Sequence, residues 1–188
     1  VTGGGAVRLF IAVELPEEIK DALASSADRL RDLCESGRFS HRENYHLTLA
    51  FLGEVEQRRV SEIKRIMDAC RCGRFGIRIG GFGSFKRDGG DIIWRAADGG
   101  KMLCALRRQL ADGLAERGFM LDKGAFRPHL TLVRQAVLKP QADIASLLSE
   151  TGELFFTADR VSLMNSQRID GRLTYTPLHR TYFNAAEH

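Results

Sequence analysis

Apolar and polar residues along this 188-residue chain switch between a two-residue and a helical period, and they do so twice. Residues 8–14 alternate and stop at Leu15-Pro16, the pattern of a strand. Pro16-Glu17-Glu18 suits a helix start, with Pro in the first turn and carboxylates at the positive end of the helix dipole. Ile19, Leu23, Ala27, Leu30 and Cys34 then repeat at helical spacing up to Gly37. A strand over residues 45–52 follows, and next a helix carrying Val60, Ile63, Met67 and Cys70. Residues 75–79 alternate again before a glycine-rich stretch, 80–83, that reads as a turn.

The order then recurs. The spacing predicts a strand over 91–97, a helix over 102–117 with Leu103, Leu106, Leu110 and Leu114 on one face, and a strand over 129–133. A short helix is expected over 140–149, and two final strands over 155–164 and 173–183, joined by a turn at Asp170-Gly171. Each half reads strand, helix, strand, helix, strand, and the second half adds one more. The expectation is one α+β domain over 1–188, bilobal and pseudo-twofold, with pseudo-repeats of about 7–85 and 91–183. Its sheets should be mainly antiparallel, with a central cleft between the lobes.

Corresponding strands in the two halves open with near-identical tetrapeptides, His46-Leu47-Thr48-Leu49 and His129-Leu130-Thr131-Leu132, 83 residues apart (129 − 46). Side chains in a strand alternate between faces, so each His shares a face with its Thr while the leucines enter the core. A lone His on a strand is most often a hydrogen-bonded structural residue. Two copies at equivalent places in a repeated pattern point instead to one shared site. Imidazole titrates near ~6.5, so one ring of a pair can take a proton from water while the other protonates a leaving oxygen. The Thr hydroxyls can hold phosphoryl oxygens.

Composition adds little: 44% hydrophobic and 28% charged residues are ordinary for a globular chain. No run approaches the ~18 apolar residues of a membrane span, and no signal peptide is expected, since the apolar run at 7–13 is short. Val1-Thr2-Gly3-Gly4-Gly5 reads as a flexible tail. A net charge of +4 favours an anionic ligand only mildly. Cys34 and Cys104 fall on apolar helix faces, and Cys70-Arg71-Cys72 is a weak metal signal, so reduced thiols and a cytoplasmic protein are expected. No metal and no cofactor is expected either. Zinc wants three or four compact ligands, and the partner of each His here is Thr. The sequence also lacks a G-x-S-x-G nucleophile motif and the Lys-Ser/Thr of a P-loop.

These residues resemble the two-histidine phosphoesterase superfamily, specifically the RNA 2′,3′-cyclic phosphodiesterases also called 2′-5′ RNA ligase-like proteins. The resemblance is carried by Arg8-Leu9-Phe10-Ile11-Ala12-Val13, by Glu43-Asn44-Tyr45-His46-Leu47-Thr48-Leu49-Ala50-Phe51-Leu52-Gly53, by Phe126-Arg127-Pro128-His129-Leu130-Thr131-Leu132-Val133-Arg134, and by Ser166, Gly171 and Tyr175, in order across nearly the whole chain. It implies metal-independent hydrolysis of an RNA-terminal 2′,3′-cyclic phosphate to a 2′-phosphate. His46 would be the proton donor to the 3′ oxygen and His129 the proton acceptor from water. Thr48, Thr131 and Arg134 would bind the phosphate. Strand parity sets Arg134 opposite His129, so it needs a bulge or a strand end to reach the cleft. Arg8 and Phe10 share a face and are candidates to line the cleft and stack on a base, against simple core packing for Phe10. Two departures stand out: Tyr45 replaces an aliphatic residue, and Ser166-Gln167-Arg168 replaces Ser-Arg-Leu. His41 and His179 have no motif around them. The expected partners are RNA ends or nucleotides bearing a cyclic phosphate, with no membrane contact and a monomeric state. Alternatives are a phosphodiesterase for small cyclic nucleotides, a 2′-5′ ligase side activity on the same histidines, and a non-catalytic nucleotide- or RNA-binding module.

Overall fold

The computed structural model describes residues 5–121 and 124–184; most of the expected tail and the terminal His188 lie outside them. Among these described residues nine strands and four α-helices run in the order β1 (Ala6–Glu14), α1 (Glu17–Asp32), β2 (Cys34–Phe39), β3 (His46–Glu56), α2 (Val60–Ala69), β4 (Phe75–Phe85), β5 (Asp91–Asp98), α3 (Gly100–Glu116), β6 (His129–Leu138), α4 (Leu147–Thr151), β7 (Leu154–Ala158), β8 (Arg160–Ile169) and β9 (Arg172–Tyr182). They form a four-stranded sheet, β3-β1-β8-β9, and a five-stranded sheet, β2-β6-β5-β4-β7, in which every neighbouring pair is antiparallel. The fold is α+β with antiparallel sheets.

The sheets do not follow the halves of the sequence. Each is built on its own His-strand pair, β3 with β1 and β6 with β5, but the next strand comes from the other half: β8 docks on β1, and β4 docks on β5. The polypeptide makes this exchange at Asp159. There the expected single strand over 155–164 divides into β7 in one sheet and β8 in the other. No alternation pattern marks such a division, because both pieces are themselves strand-like.

Other expectations are corrected locally. The first helix stops at Asp32, and Cys34–Phe39 is an edge strand paired with β6, so Cys34 is buried beside a sheet rather than on a helix. Residues 80–83 are not a turn. β4 runs through them with a register shift between Ile79 and Phe82. Gly83 is required there, because a Cβ would stand 2.3 Å from the Trp94 ring. The short helix shrinks to Leu147–Thr151, and Cys104 is exposed.

One apolar core joins Leu9, Ile11 and Val13 of β1 to the leucines of both His-strands and the inward faces of α1, α2 and α3. A second, small cluster of Phe10, Ala12 and Met164, with Tyr175 against it, covers the other face of β1. β1 is therefore buried on both faces, which an alternating half-buried strand would not be. Arg95 is fully buried: its Nε donates to the Gly80 carbonyl at 2.9 Å, one Nη to Ser26 Oγ at 3.3 Å, and the other to the Gly152 carbonyl. It ties α1, β4 and the end of α4 together, and nothing in the hydrophobic pattern announces it.

Candidate active site

The two His-strands approach each other where the sheets meet, and a cavity of about 340 Å³ opens between them. His46, Thr48, His129 and Thr131 all line it. Burial alternates along both tetrapeptides, with the leucines at 0–2% exposure and the His and Thr partly open. The period-two reading of both motifs is therefore realised in three dimensions.

Both imidazoles are held in one tautomer by the same local bond. His46 Nδ1–H donates to the Asn44 carbonyl at 2.6 Å, and His129 Nδ1–H donates to the Arg127 carbonyl at 2.6 Å. A carbonyl can only accept, so in the neutral ring the lone pair sits on Nε2. Each ring is also braced by aromatics. Phe10 and Tyr175 lie 4.6 and 5.1 Å from His46, and Phe85 and Trp94 lie 5.0 and 5.9 Å from His129. Burial lowers the His46 pKa to about 4, and the positive charges of Arg134 and His129 push the same way. Burial lowers His129 too, again with Arg134 acting in the same direction. Both shifts favour neutral imidazoles near neutrality, rather than the neutral-plus-cation pair that unperturbed values would give.

Arg134 reaches the cavity through a bulge. In the β5–β6 register Trp94 faces Thr131 and Ile93 faces Val133, which leaves Leu132 as an extra residue. Leu132 and Val133 are consecutively buried, and the parity reverses, so Arg134 comes to the His129 face. β3 has the same irregularity. Ile11 faces Ala50 and Ala12 faces Thr48, so Leu49 is passed over, and Phe51 takes the place equivalent to Arg134.

Phe10 is 3% exposed beneath His46 and has almost no surface to offer a base. Arg8 lies outside the cavity lining, over the Phe51 ring at 4.9 Å and 3.8 Å from Glu54. Tyr45 is buried, which raises its pKa to about 12. His179 pairs with Asp68 at 2.7 Å, away from the cleft, whereas His41 does line it. Sequence reasoning missed Arg38, Arg168 and Arg172 as lining residues. The shifted arginine of Ser166-Gln167-Arg168 was the one available signal. Among the described residues, no group of three or more His, Cys, Asp or Glu is placed to hold a metal ion, and no helix is long and apolar enough to cross a membrane. Cys70 and Cys72 are free, their thiols donating to backbone carbonyls at 3.4 and 3.2 Å.

Two antiparallel sheets thus present paired His-x-Thr strands to one cavity. Residues 19–170 match the model of the 2′-5′ RNA ligase superfamily, and the chain belongs to that family. It is 31% identical over 140 residues to an RNA 2′,3′-cyclic phosphodiesterase of Geobacillus stearothermophilus, a match covering 71% of this chain and 45% of that protein. The chain thus spans about half the length of that relative. It is 28% identical over 175 residues to the RNA 2′,3′-cyclic phosphodiesterase of Escherichia coli, covering 92% of this chain and 94% of that one. The crystal structure of Escherichia coli LigT complexed with 3′-AMP superposes with a TM-score of 0.79 at 27% identity, over 95% of this chain and 98% of the other.

Proposed function

We propose that this protein hydrolyses RNA-terminal 2′,3′-cyclic phosphate to a 2′-phosphate, with His46 as proton donor and His129 as proton acceptor. The observation that carries the reading is the matched pair of anchored imidazoles, each beside its Thr, around one cavity. The cyclic phosphodiester seats its nonbridging oxygens on Thr48, Thr131 and Arg134. His129 Nε2 takes a proton from water, the new P–O bond forms opposite the 3′ oxygen, and His46 protonates that oxygen as its bond to phosphorus breaks. Because burial and the charge of Arg134 depress both imidazoles, the donor proton is taken up from solvent as the substrate binds: the phosphodiester anion offsets the charge of Arg134 and raises the pKa of the ring beside it.

An RNA end, rather than a mononucleotide, suits the basic wall of the cavity. Arg38, Arg134, Arg168 and Arg172 line it, and among the described residues none forms an ion pair. Arg38 and Arg134 face each other directly across β2 and β6, a like-charge pairing that costs stability until an anion lies between them. The four free thiols suit a reducing compartment, and we place the protein in the cytoplasm as a monomer.

The test is incubation with an oligonucleotide ending in 2′,3′-cyclic phosphate, in the presence of chelator, with end-group analysis of the product. A 2′-phosphate is expected. A 3′-phosphate reverses the acid and base assignment. A requirement for added zinc or manganese removes the metal-independent mechanism. Equal rates on mononucleotide and RNA at low salt favour the small-nucleotide alternative, and binding without turnover favours the non-catalytic one.

A further inference from the structure

A single 3₁₀ turn, Arg42–Asn44, precedes β3 and carries the carbonyl that receives His46 Nδ1–H. Its first residue spreads one guanidinium over three carboxylates. Arg42 Nη1 donates to Glu17 Oε2 at 2.7 Å and to Glu43 Oε1 at 2.6 Å, and Nε donates to Asp21 Oδ1. Nη2 adds the Glu17 carbonyl at 3.3 Å. Glu17 and Asp21 lie in the first turns of α1, so the 3₁₀ turn is fastened to that helix. On its other side Asn44 Nδ2 donates to the Leu173 carbonyl of β9 at 2.8 Å. Lys20 completes the cluster, 2.8 Å from Glu17 and 3.6 Å from Glu43. A cavity of about 190 Å³ behind His46 is lined by Lys20, Glu43 and Asn44, which sets the cluster at the back of the ring.

The second half of the chain has no counterpart. Ala125 stands where the repeat would place Arg42 (42 + 83 = 125), and among the described residues Arg127, whose carbonyl holds His129, forms no ion pair. The asymmetry matches the two roles. His129 acts as a neutral base, whereas His46 must carry a proton although it is the more deeply buried ring. Burial pushes the His46 pKa down to about 4, and the Asn44 carbonyl pulls the other way. A carbonyl that drifts out of reach ends that pull and frees the neutral ring to protonate at either nitrogen. Exposed ion pairs contribute little to stability. Three of them on one guanidinium, at the root of this turn, fix a position instead.

We propose that Arg42 is a positioning residue for the proton donor: it locks the 3₁₀ turn against α1, and so keeps the Asn44 carbonyl on His46 Nδ1 and the transferable proton on Nε2. The inference rests on the reading of His46 as donor. The ring is also faced by Arg134 and His129 of β6, by Tyr175 of β9 and by Glu14, its register partner on β1, whose carboxylate is engaged by Ser162 and Arg180. None of these is a partner of Arg42, which therefore reaches His46 only through the turn or through its field. The two routes differ in sign. Loss of a positive field would raise the donor pKa, and loss of the carbonyl bond lowers it.

The experiment compares intact parent, R42A and the double variant E17A/D21A, which removes the same clamp from the helix side. Nitrogen-15 NMR of the imidazoles at pH 7 reads the tautomers, and kcat and KM are followed against pH on an oligonucleotide ending in cyclic phosphate. In both variants His46 should pass from the Nδ1–H tautomer to a mixture, while His129 stays fixed as the internal control. kcat at pH 7 should fall about tenfold with KM within about twofold, and the alkaline limb of kcat should move about one unit toward acid, the equivalent of that tenfold loss of protonated donor. Circular dichroism should be unchanged. A His46 tautomer and an alkaline limb that neither variant moves, or a limb that R42A moves toward base, overturns the positioning role and leaves the hydrolytic reading standing. Absence of hydrolysis by the parent overturns the donor reading instead. The tautomer measurement then decides the clamp by itself, and an unaltered His46 overturns it.

Discussion

His46 Nδ1 lies 2.6 Å from the carbonyl oxygen of Asn44, two residues before it in the chain. The bond is local, so each His-strand brings its own tautomer with it, and His129 repeats the arrangement with Arg127. The approach of the two strands is tertiary. Removing either ring should leave the fold in place and remove one proton transfer. H46A and H129A should each lose ~10²–10⁴-fold in kcat, as general acid–base groups typically do. T48A and T131A, which each remove one hydrogen bond to phosphate, should lose less. Steady-state kinetics alongside circular dichroism checks this, and near-parental kcat in either His variant removes its assigned role.

The pH dependence follows from burial. Both histidines are depressed in the empty protein, His46 to about 4, so the singly protonated pair of free enzyme exists mainly below neutrality. kcat/KM, which reports the free enzyme, should peak on the acid side of kcat, which reports the substrate complex. Coincident profiles would show that binding of the anion does not raise the pKa of the donor imidazole. Stability carries the same sign. A folded pKa below the unfolded ~6.5 means that the unfolded chain binds more protons, so stability is full above ~6.5 and is lost as pH falls toward 4. H46Q should flatten that loss in denaturant titrations between those limits.

Trp94 is the chain's one tryptophan, and it packs against His129 over a glycine. G83A should force that ring to move and cost ~1–3 kcal/mol, as overpacking does. If Trp94 positions His129, kcat should fall more than KM rises, and the emission of Trp94 should shift. A loss of stability with unchanged kcat would show that the brace is structural only. In the parent, Trp94 emission should titrate with His129, and the H129A variant should abolish that titration.

Arg38 and Arg134 make a trade between stability and binding. R38Q should raise the melting temperature of the empty protein slightly, since like charges across strands cost about 0.2–1 kcal/mol. The same variant should weaken binding of the RNA end. For the pair R168Q and R172Q, the salt dependence of affinity should become shallower, by about 0.7 in log–log slope for each phosphate no longer neutralised. An unchanged slope removes these arginines from the RNA path.

The sequence by itself determined the chemistry and most of the elements. Side-chain alternation within a strand is a local property of the backbone, so His46, Thr48, His129 and Thr131 could be placed on one face each from spacing alone. Amphipathic helices α1, α2 and α3 were equally legible, because each carries its own apolar stripe. Tertiary structure decided what local period cannot encode. β2 carries Glu35, Gly37 and Arg38 and has no apolar alternation; it is a strand because the edge of β6 needs a partner for its backbone. The division at Asp159 depends on pairings between β8 and β1, about 150 residues apart, and such pairings are won by packing rather than by propensity. Arg134 is the sharpest case. Parity set it opposite His129, and one extra residue in β6 reversed that, because two consecutive buried residues, Leu132 and Val133, both find room in the core.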